Sequence, residues 1–300
     1  MTTPLWLIMI EKTETARLAG RTAKGGNRKI VPESRDMKEK LLRGELLLGT
    51  MVTAFDSPEI IRLAANAGLD WVFVDTESVY PDPARLAAML GYAQMAGLPA
   101  VVRIPEISKA EVSRVLDLGA AGIICPDVRS AAEARELVRL AKYAPEGERG
   151  VALERPHTRY LPGSTEDKLR YMEEANRRLM LICQIESLQG LERLQEIVET
   201  PGVDGLLIGP NDLTQAMGIY GQLSHPDFLR AVDRVVAAAQ GCGKYVGMSC
   251  GSAAACRPWA EMGVRFFQVG TDTSLYAGAL REMSGQWRQT GEPASVKKAR

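Results

Sequence analysis

Apolar and polar positions fall in blocks along this chain, and one junction keeps returning. A helical stretch closes on glycine, two or three residues follow, and a β-rich apolar run begins. It occurs at Gly68-Leu-Asp-Trp-Val-Phe-Val, Gly119-Ala-Ala-Gly-Ile-Ile, Gly202-Val-Asp-Gly-Leu-Leu-Ile and Gly263-Val-Arg-Phe-Phe-Gln-Val. Glycine suits the left-handed residue just past a helix end, so the repetition marks helix-to-strand junctions. The pattern predicts strands near 47–53, 71–76, 100–104, 122–126, 180–186, 205–209, 245–249 and 266–270, most of them followed by a helix. Helix starts are legible too. Ser57-Pro58 and Asp82-Pro83 pair a capping side chain with a first-turn proline, while Ser108…Glu111 and Ser130…Glu133 have capping-box spacing.

Eight strands alternating with helices favour a closed parallel (β/α)8 TIM barrel over an open doubly wound sheet. No Gly-x-Gly-x-x-Gly follows the first strand to indicate a dinucleotide. The connection from Ala141 to Arg178 is irregular and carries Pro145, Pro156, Pro162 and His157. In a barrel an insertion of this kind is expected to roof the active-site mouth.

Two of the apolar runs end on acids. Leu206 to Ile208 leads into Gly209-Pro210-Asn211-Asp212, and Leu179-Met-Leu-Ile-Cys-Gln-Ile leads into Glu186. Two carboxylates at the C-terminal ends of neighbouring buried strands suit a divalent cation, which wants oxygen ligands on a rigid support. An equally open reading makes Asp212 the cap of a helix starting at Leu213 and puts Glu186 in the first turn of its own helix. Other strand ends are polar as well: Asp75-Thr-Glu77-Ser78, Arg103-Ile-Pro105 and Gln184-Ile-Glu186, with Asp117 near the strand at 122–126. Any one of these is a solvated charge or a cap. The set of Asp75, Arg103, Glu186 and Asp212 at one mouth needs mutual compensation or a metal.

Composition narrows the class of partner. The 300 residues are 46% hydrophobic, enough for one domain of roughly 250 residues plus tails. Lys+Arg and Asp+Glu both number 37, so no net field attracts nucleic acid or an anionic membrane. A small-molecule partner is expected. Five cysteines without a CxxC pair read as reduced thiols in a cytoplasmic protein. No apolar run approaches the roughly 18 residues of a membrane span, and Leu5 to Ile10 is too short for a signal-peptide core. Residues 1–36 read as a flexible extension or as sequence upstream of the true start. A transit peptide fits less well because Glu11 and Glu14 are acidic. The domain then spans 37–285, and a frayed polar tail is expected from Gln286 onward.

Taken in order, Asp75-Thr-Glu77 after Trp71-Val-Phe-Val, Val102-Arg103-Ile-Pro105, Leu116-Asp117-Leu-Gly119, Gln184-Ile-Glu186, Gly205-Leu-Leu-Ile-Gly-Pro-Asn-Asp-Leu213 and Val269-Gly-Thr-Asp272 resemble the HpcH/HpaI aldolase family. The resemblance runs from about Leu47 to Met283. It implies a class II, metal-dependent aldolase on a barrel of the phosphoenolpyruvate/pyruvate type, often hexameric, with the last helix exchanged between subunits. It assigns Glu186 and Asp212 as metal ligands, Arg103 to the substrate keto oxygen, and Gln184 beside the metal. The backbone of Gly209, Pro210, Asn211 and Asp212 would hold the carboxylate of a 2-oxo acid, while Asp75 and Asp117 would orient the catalytic base and water. Mg²⁺, Mn²⁺ or Co²⁺ would withdraw charge as the ketone becomes an enolate, and an aldehyde would be the second partner.

One position departs from the family. Its pattern at the second strand is Asp-x-Glu-His, with the histidine as general base, and this chain has Ser78. A serine hydroxyl takes up no proton near neutral pH, so roughly 10²–10⁴ in rate is lost unless something replaces it. His157 swinging in from the insertion is one replacement, and a metal-activated water positioned by Asp75 or Asp117 is another. A third reading is chemistry that needs no hydroxyl deprotonation, such as decarboxylation of oxaloacetate or a biosynthetic carbon–carbon bond formation. A non-catalytic metabolite binder is the rival from another class. His225, before a helix, reads as loop structure.

Overall fold

The computed structural model describes residues 37–290 except Asp56, Tyr80, Leu161 and Pro162. The expectations for residues 1–36 and beyond residue 290 fall outside it. Eight strands, β1 (Leu47–Val52), β2 (Trp71–Asp75), β3 (Ala100–Arg103), β4 (Gly122–Cys125), β5 (Met180–Ile185), β6 (Gly205–Ile208), β7 (Tyr245–Cys250) and β8 (Phe266–Thr271), close into one barrel in chain order. Each neighbouring pair is parallel, β8 to β1 included. Around them lie α1 (Met37–Leu42), α2 (Glu59–Asn66), α3 (Pro83–Ala96), α4 (Lys109–Asp117), α5 (Ala131–Ala141), α6 (Thr165–Arg178), α7 (Leu188–Glu192), α8 (Leu194–Val198), α9 (Pro210–Ala216), α10 (Pro226–Gly241), α11 (Arg257–Met262) and α12 (Asp272–Thr290). Helix α12 continues through Gln286, where a frayed tail was expected.

The helix starts follow the capping chemistry with one exception. Asp82 accepts from the Ala84 N–H at 2.8 Å, Ser108 from Glu111 at 3.2 Å and Ser130 from Glu133 at 3.3 Å. The reciprocal half of the box is not made at either serine. Glu111 turns to Arg114, and Glu133 accepts from the Arg129 N–H. Ser57 does not cap α2; Pro58 holds the cap position, and the Ser57 hydroxyl goes to Glu59.

Side chains along a strand alternate between two faces, and here the two faces are two cores. Trp71, Phe73, Val101, Ile124, Ile182 and Phe266 fill the barrel interior, with Met37 and Leu41 of α1 plugging its N-terminal end. The intervening residues, Val72, Val74, Val102, Ile123 and Cys183 among them, pack outward against the helices. The interior is full enough to require glycine at two strand positions. A Cβ on Gly49 would lie 2.6 Å from the Trp71 ring, and one on Gly247 would lie 2.0 Å from Phe266.

The segment after α5 corrects one expectation. It contains a 3₁₀ turn at Pro156–Thr158 and then α6, with a full capping box between Ser164 and Asp167. Because it joins a helix to the start of β5, it lies at the N-terminal end of the barrel, so it does not roof the mouth of its own chain.

Candidate active site

Continuing the inward parity of each strand leads from the apolar interior to a polar rim. On β2 the series Trp71, Phe73 arrives at Asp75. On β3 Val101 leads to Arg103, and on β5 Ile182 leads to Gln184 and then Glu186. Asp75 and Arg103 are register partners across β2 and β3. Arg103 Nε donates to Asp75 Oδ1 at 2.9 Å and Nη2 donates to Oδ2 at 2.8 Å, a bidentate pair with Asp75 almost wholly buried. The third nitrogen, Nη1, lies 2.9 Å from Glu77 Oε2, and Nη2 also donates to the Ser78 hydroxyl at 3.1 Å. Burial opposes the charge on Arg103, but the hydrogen bonds and charge of Asp75, joined by Glu77 and Glu186, hold it above its ordinary range.

Glu186 is a second buried acid of the rim, 9% exposed. Its Oε1 accepts from the Asp127 N–H at 3.0 Å, and its Oε2 accepts from the Gln184 amide. Gly209 makes room for it, since a Cβ there would stand 2.5 Å from Glu186 Oε2. Burial, then the charges of Asp212 and Glu77, push the Glu186 carboxyl up to about 7. Burial likewise raises Glu77, with Asp75, Asp212 and Asp127 adding to it against the pull of Arg103. Gln184 is 4% exposed, and its Oε1 has no hydrogen-bond partner among the described residues. Asp212 is exposed in the first turn of α9, a helix that starts at Pro210 with Gly209 as its cap. It therefore does not cap a helix beginning at Leu213. Glu186 likewise precedes α7, whose cap is Ser187.

Asp117 and His157 lie elsewhere. Asp117 ends α4, which runs back against the strands, so it sits at the N-terminal end of the barrel, paired with Arg149 at 3.0 Å. His157 is buried beside it, its Nδ1 3.1 Å from the Asp117 carbonyl oxygen and its ring tilted on Tyr171 at 5.6 Å. Within one chain neither reaches Asp75, so His157 does not stand in for the missing base there and Asp117 does not orient it. His225 caps α10 by accepting from the Asp227 N–H.

Asp127 belongs to the rim and was not anticipated. It lies two residues past the end of β4, as Glu77 does on β2. Its backbone is left-handed, φ 42°, which aims its N–H at Glu186. Its Oδ1 is buried without a partner among the described residues, while Oδ2 pairs with Arg129. Asp272 closes the barrel at the same end, accepting from the N–H groups of Thr53, Ala54 and Phe55 at 2.7–3.1 Å.

A closed parallel barrel with an acidic, arginine-bearing rim at the C-terminal ends of its strands defines a TIM-barrel enzyme. The chain belongs to the HpcH/HpaI aldolase/citrate lyase family, whose model matches residues 50–279. It is 36% identical over 262 residues to a hydroxypyruvate/pyruvate aldolase of Pseudomonas aeruginosa, covering 86% of this chain and 94% of the relative. It is 34% identical over 251 residues to a 2-keto-3-deoxy-L-rhamnonate aldolase of Klebsiella pneumoniae, covering 82% and 91%. The crystal structure of an HpcH/HpaI aldolase from Desulfitobacterium hafniense superposes with a TM-score of 0.78 at 33% identity, covering 86% of this chain and 98% of that one. The chain is a carbon–carbon lyase.

Proposed function

We propose that this enzyme reversibly cleaves the aldol bond of a 4-hydroxy-2-oxo acid, with a divalent cation at the rim, to give a pyruvate-like 2-oxo acid and an aldehyde. The observation that carries the reading is the setting of Glu186: a buried carboxylate, fixed on both oxygens, raised by burial and by neighbouring acids. A dication relieves that accumulation of negative charge. The donors suited to hold it are Glu186 and Asp212, with the unpartnered Oε1 of Gln184 beside them. All three are hard oxygen ligands, which fits Mg²⁺ or Mn²⁺ and admits Co²⁺. When bound, the cation supplies electrophilic polarisation of the 2-oxo group.

Arg103 adds a fixed positive charge where the keto oxygen gains negative charge. Asp75 holds its guanidinium in one orientation, and Glu77, on Nη1, is the partner a substrate oxygen displaces. The substrate carboxylate faces the first turn of α9. Pro210 has no N–H to offer there, so the donors are Asn211 and Asp212. Gly209, without a side chain, keeps the approach open.

Ser78 favours a second reaction at the same rim, decarboxylation of a 2-oxo diacid, because losing CO₂ requires no hydroxyl deprotonation. The working form is a homo-oligomer, for which a hexamer is the family expectation. Tyr276, Leu280 and Met283 support it, forming an exposed apolar face at helical spacing on α12. Steady-state release of pyruvate from a 4-hydroxy-2-oxo acid tests the site. Glu186→Ala is expected to abolish both cleavage and oxaloacetate decarboxylation at saturating Mn²⁺, and unchanged rates for the two would remove Glu186 from the reaction.

A further inference from the structure

Aldol cleavage needs a group that takes the proton of the substrate hydroxyl, and Ser78 stands where the family pattern has its histidine. His157 is held beside Asp117 at the far end of the barrel. The rim itself carries another acceptor. Two consecutive residues past β2 reach two nitrogens of one guanidinium: Glu77 Oε2 lies 2.9 Å from Arg103 Nη1, and the Ser78 hydroxyl accepts from Nη2 at 3.1 Å. A carboxylate therefore stands on the nitrogen next to the one that residue 78 occupies.

The other described acids of the rim are committed elsewhere. Asp75 is bidentate with Arg103 and almost wholly buried. Asp127 has one oxygen buried and the other paired with Arg129. Asp272 accepts from three backbone N–H groups, and Glu186 and Asp212 are the donors suited to the cation. The Glu77 side chain, by contrast, is 34% exposed, and its contact with Nη1 is the one a substrate oxygen displaces. In a 4-hydroxy-2-oxo acid a single carbon separates the keto carbon from the hydroxyl carbon. A carboxylate moved aside by the keto oxygen thus stays next to the hydroxyl, within the reach a general base requires.

Resting on the aldol reading above, we infer that Glu77 is the proton acceptor of the cleavage step, in place of the histidine this chain lacks. Glu77 takes the proton of the C4 hydroxyl, and the electrons of that O–H bond form the carbonyl of the departing aldehyde. The C3–C4 bond breaks, and its electron pair passes to an enolate whose oxygen faces Arg103. The protonated Glu77 then returns its proton to C3, which gives pyruvate and leaves the carboxylate as it began. Burial, with Asp75, Asp212 and Asp127 adding to it against the pull of Arg103, raises the Glu77 carboxyl, which makes it a stronger base than an ordinary carboxylate.

The test measures pyruvate release from 4-hydroxy-2-oxopentanoate beside oxaloacetate decarboxylation, both at saturating Mn²⁺. Glu77→Gln keeps the shape of the side chain and removes the base, so cleavage is expected to fall by roughly 10²–10⁴. Decarboxylation should fall far less, because losing CO₂ takes no hydroxyl proton, whereas a residue that only orients Arg103 would lower both alike. Residual decarboxylation also shows that the variant is folded. Adding Ser78→His should raise cleavage by at least roughly tenfold more in Glu77→Gln than in the parent, which has a base already. Undiminished cleavage in Glu77→Gln, equal losses in the two reactions, or equal gains from Ser78→His in both backgrounds would overturn the assignment. A parent protein that releases no pyruvate from this substrate would overturn the aldol reading itself, and the role of Glu77 with it.

Discussion

The Ser78 hydroxyl accepts from Arg103 Nη2 at 3.1 Å, so it occupies the end of the Asp75–Arg103 network without being able to take up a proton. Ser78→His would place an imidazole at that end. If aldol cleavage is limited by the missing base, the substitution is expected to raise pyruvate release by roughly 10²–10⁴ and to leave oxaloacetate decarboxylation little changed. A cleavage rate that does not move would make proton removal at this position irrelevant to the native reaction. Asp75, Arg103, Gln184, Glu186 and Asp212 were readable because each sits at or just past the end of a recognisable strand. Asp127 satisfies the same rule on β4, whereas Asp117 lies at the opposite end of that strand. The clamp that Asp127 places on Glu186 acts through its backbone N–H, which leaves no trace in the residue type.

Each strand starts and ends within one residue of its expected span, because continuous apolar runs bounded by glycine are hard to mistake. Connections from helix to strand lie at the N-terminal end of a barrel whatever they contain, so chain direction alone places His157 and its neighbours away from the rim. The Asp272 anchor on Thr53, Ala54 and Phe55 was invisible for another reason: it joins residues some 217 apart, and nothing local in either segment announces the partner. Burial by itself would raise the Asp272 carboxyl, but the N–H groups it accepts from keep it below its usual range. Interior packing gives a test at this scale. Gly247→Ala sets a Cβ 2.0 Å from the Phe266 ring and is expected to lower stability by about 1–3 kcal/mol in urea denaturation. Gly241→Ala, with nothing within 4 Å of its added Cβ, should show no such loss.

The two ends of the barrel respond to pH in opposite ways. The folded protein holds His157 neutral through burial and Arg149, below the ordinary histidine range. As pH falls through about 6.5 the unfolded chain takes up a proton that folded His157 refuses, so this contribution to stability is complete above that range and is lost below it. Denaturant midpoints are expected to fall more steeply between about pH 7.5 and 5.5 in the parent protein than in His157→Gln, and equal slopes would contradict the assignment. At the rim the sign reverses. Glu186, raised to about 7, carries a penalty that grows as pH rises from the ordinary carboxylate range through that value, and a bound cation would relieve it. No helix among the described residues is long and apolar enough to cross a membrane.

The most direct measurement is a calorimetric titration of Mn²⁺ into metal-free protein, comparing the parent chain with Glu186→Gln at pH values above 7. One ion per chain is expected to bind the parent, and the substitution should weaken it by more than the roughly 10–100-fold seen when only an outer hydrogen-bond partner is lost. Equal affinity in the two proteins would show that Glu186 does not hold the cation.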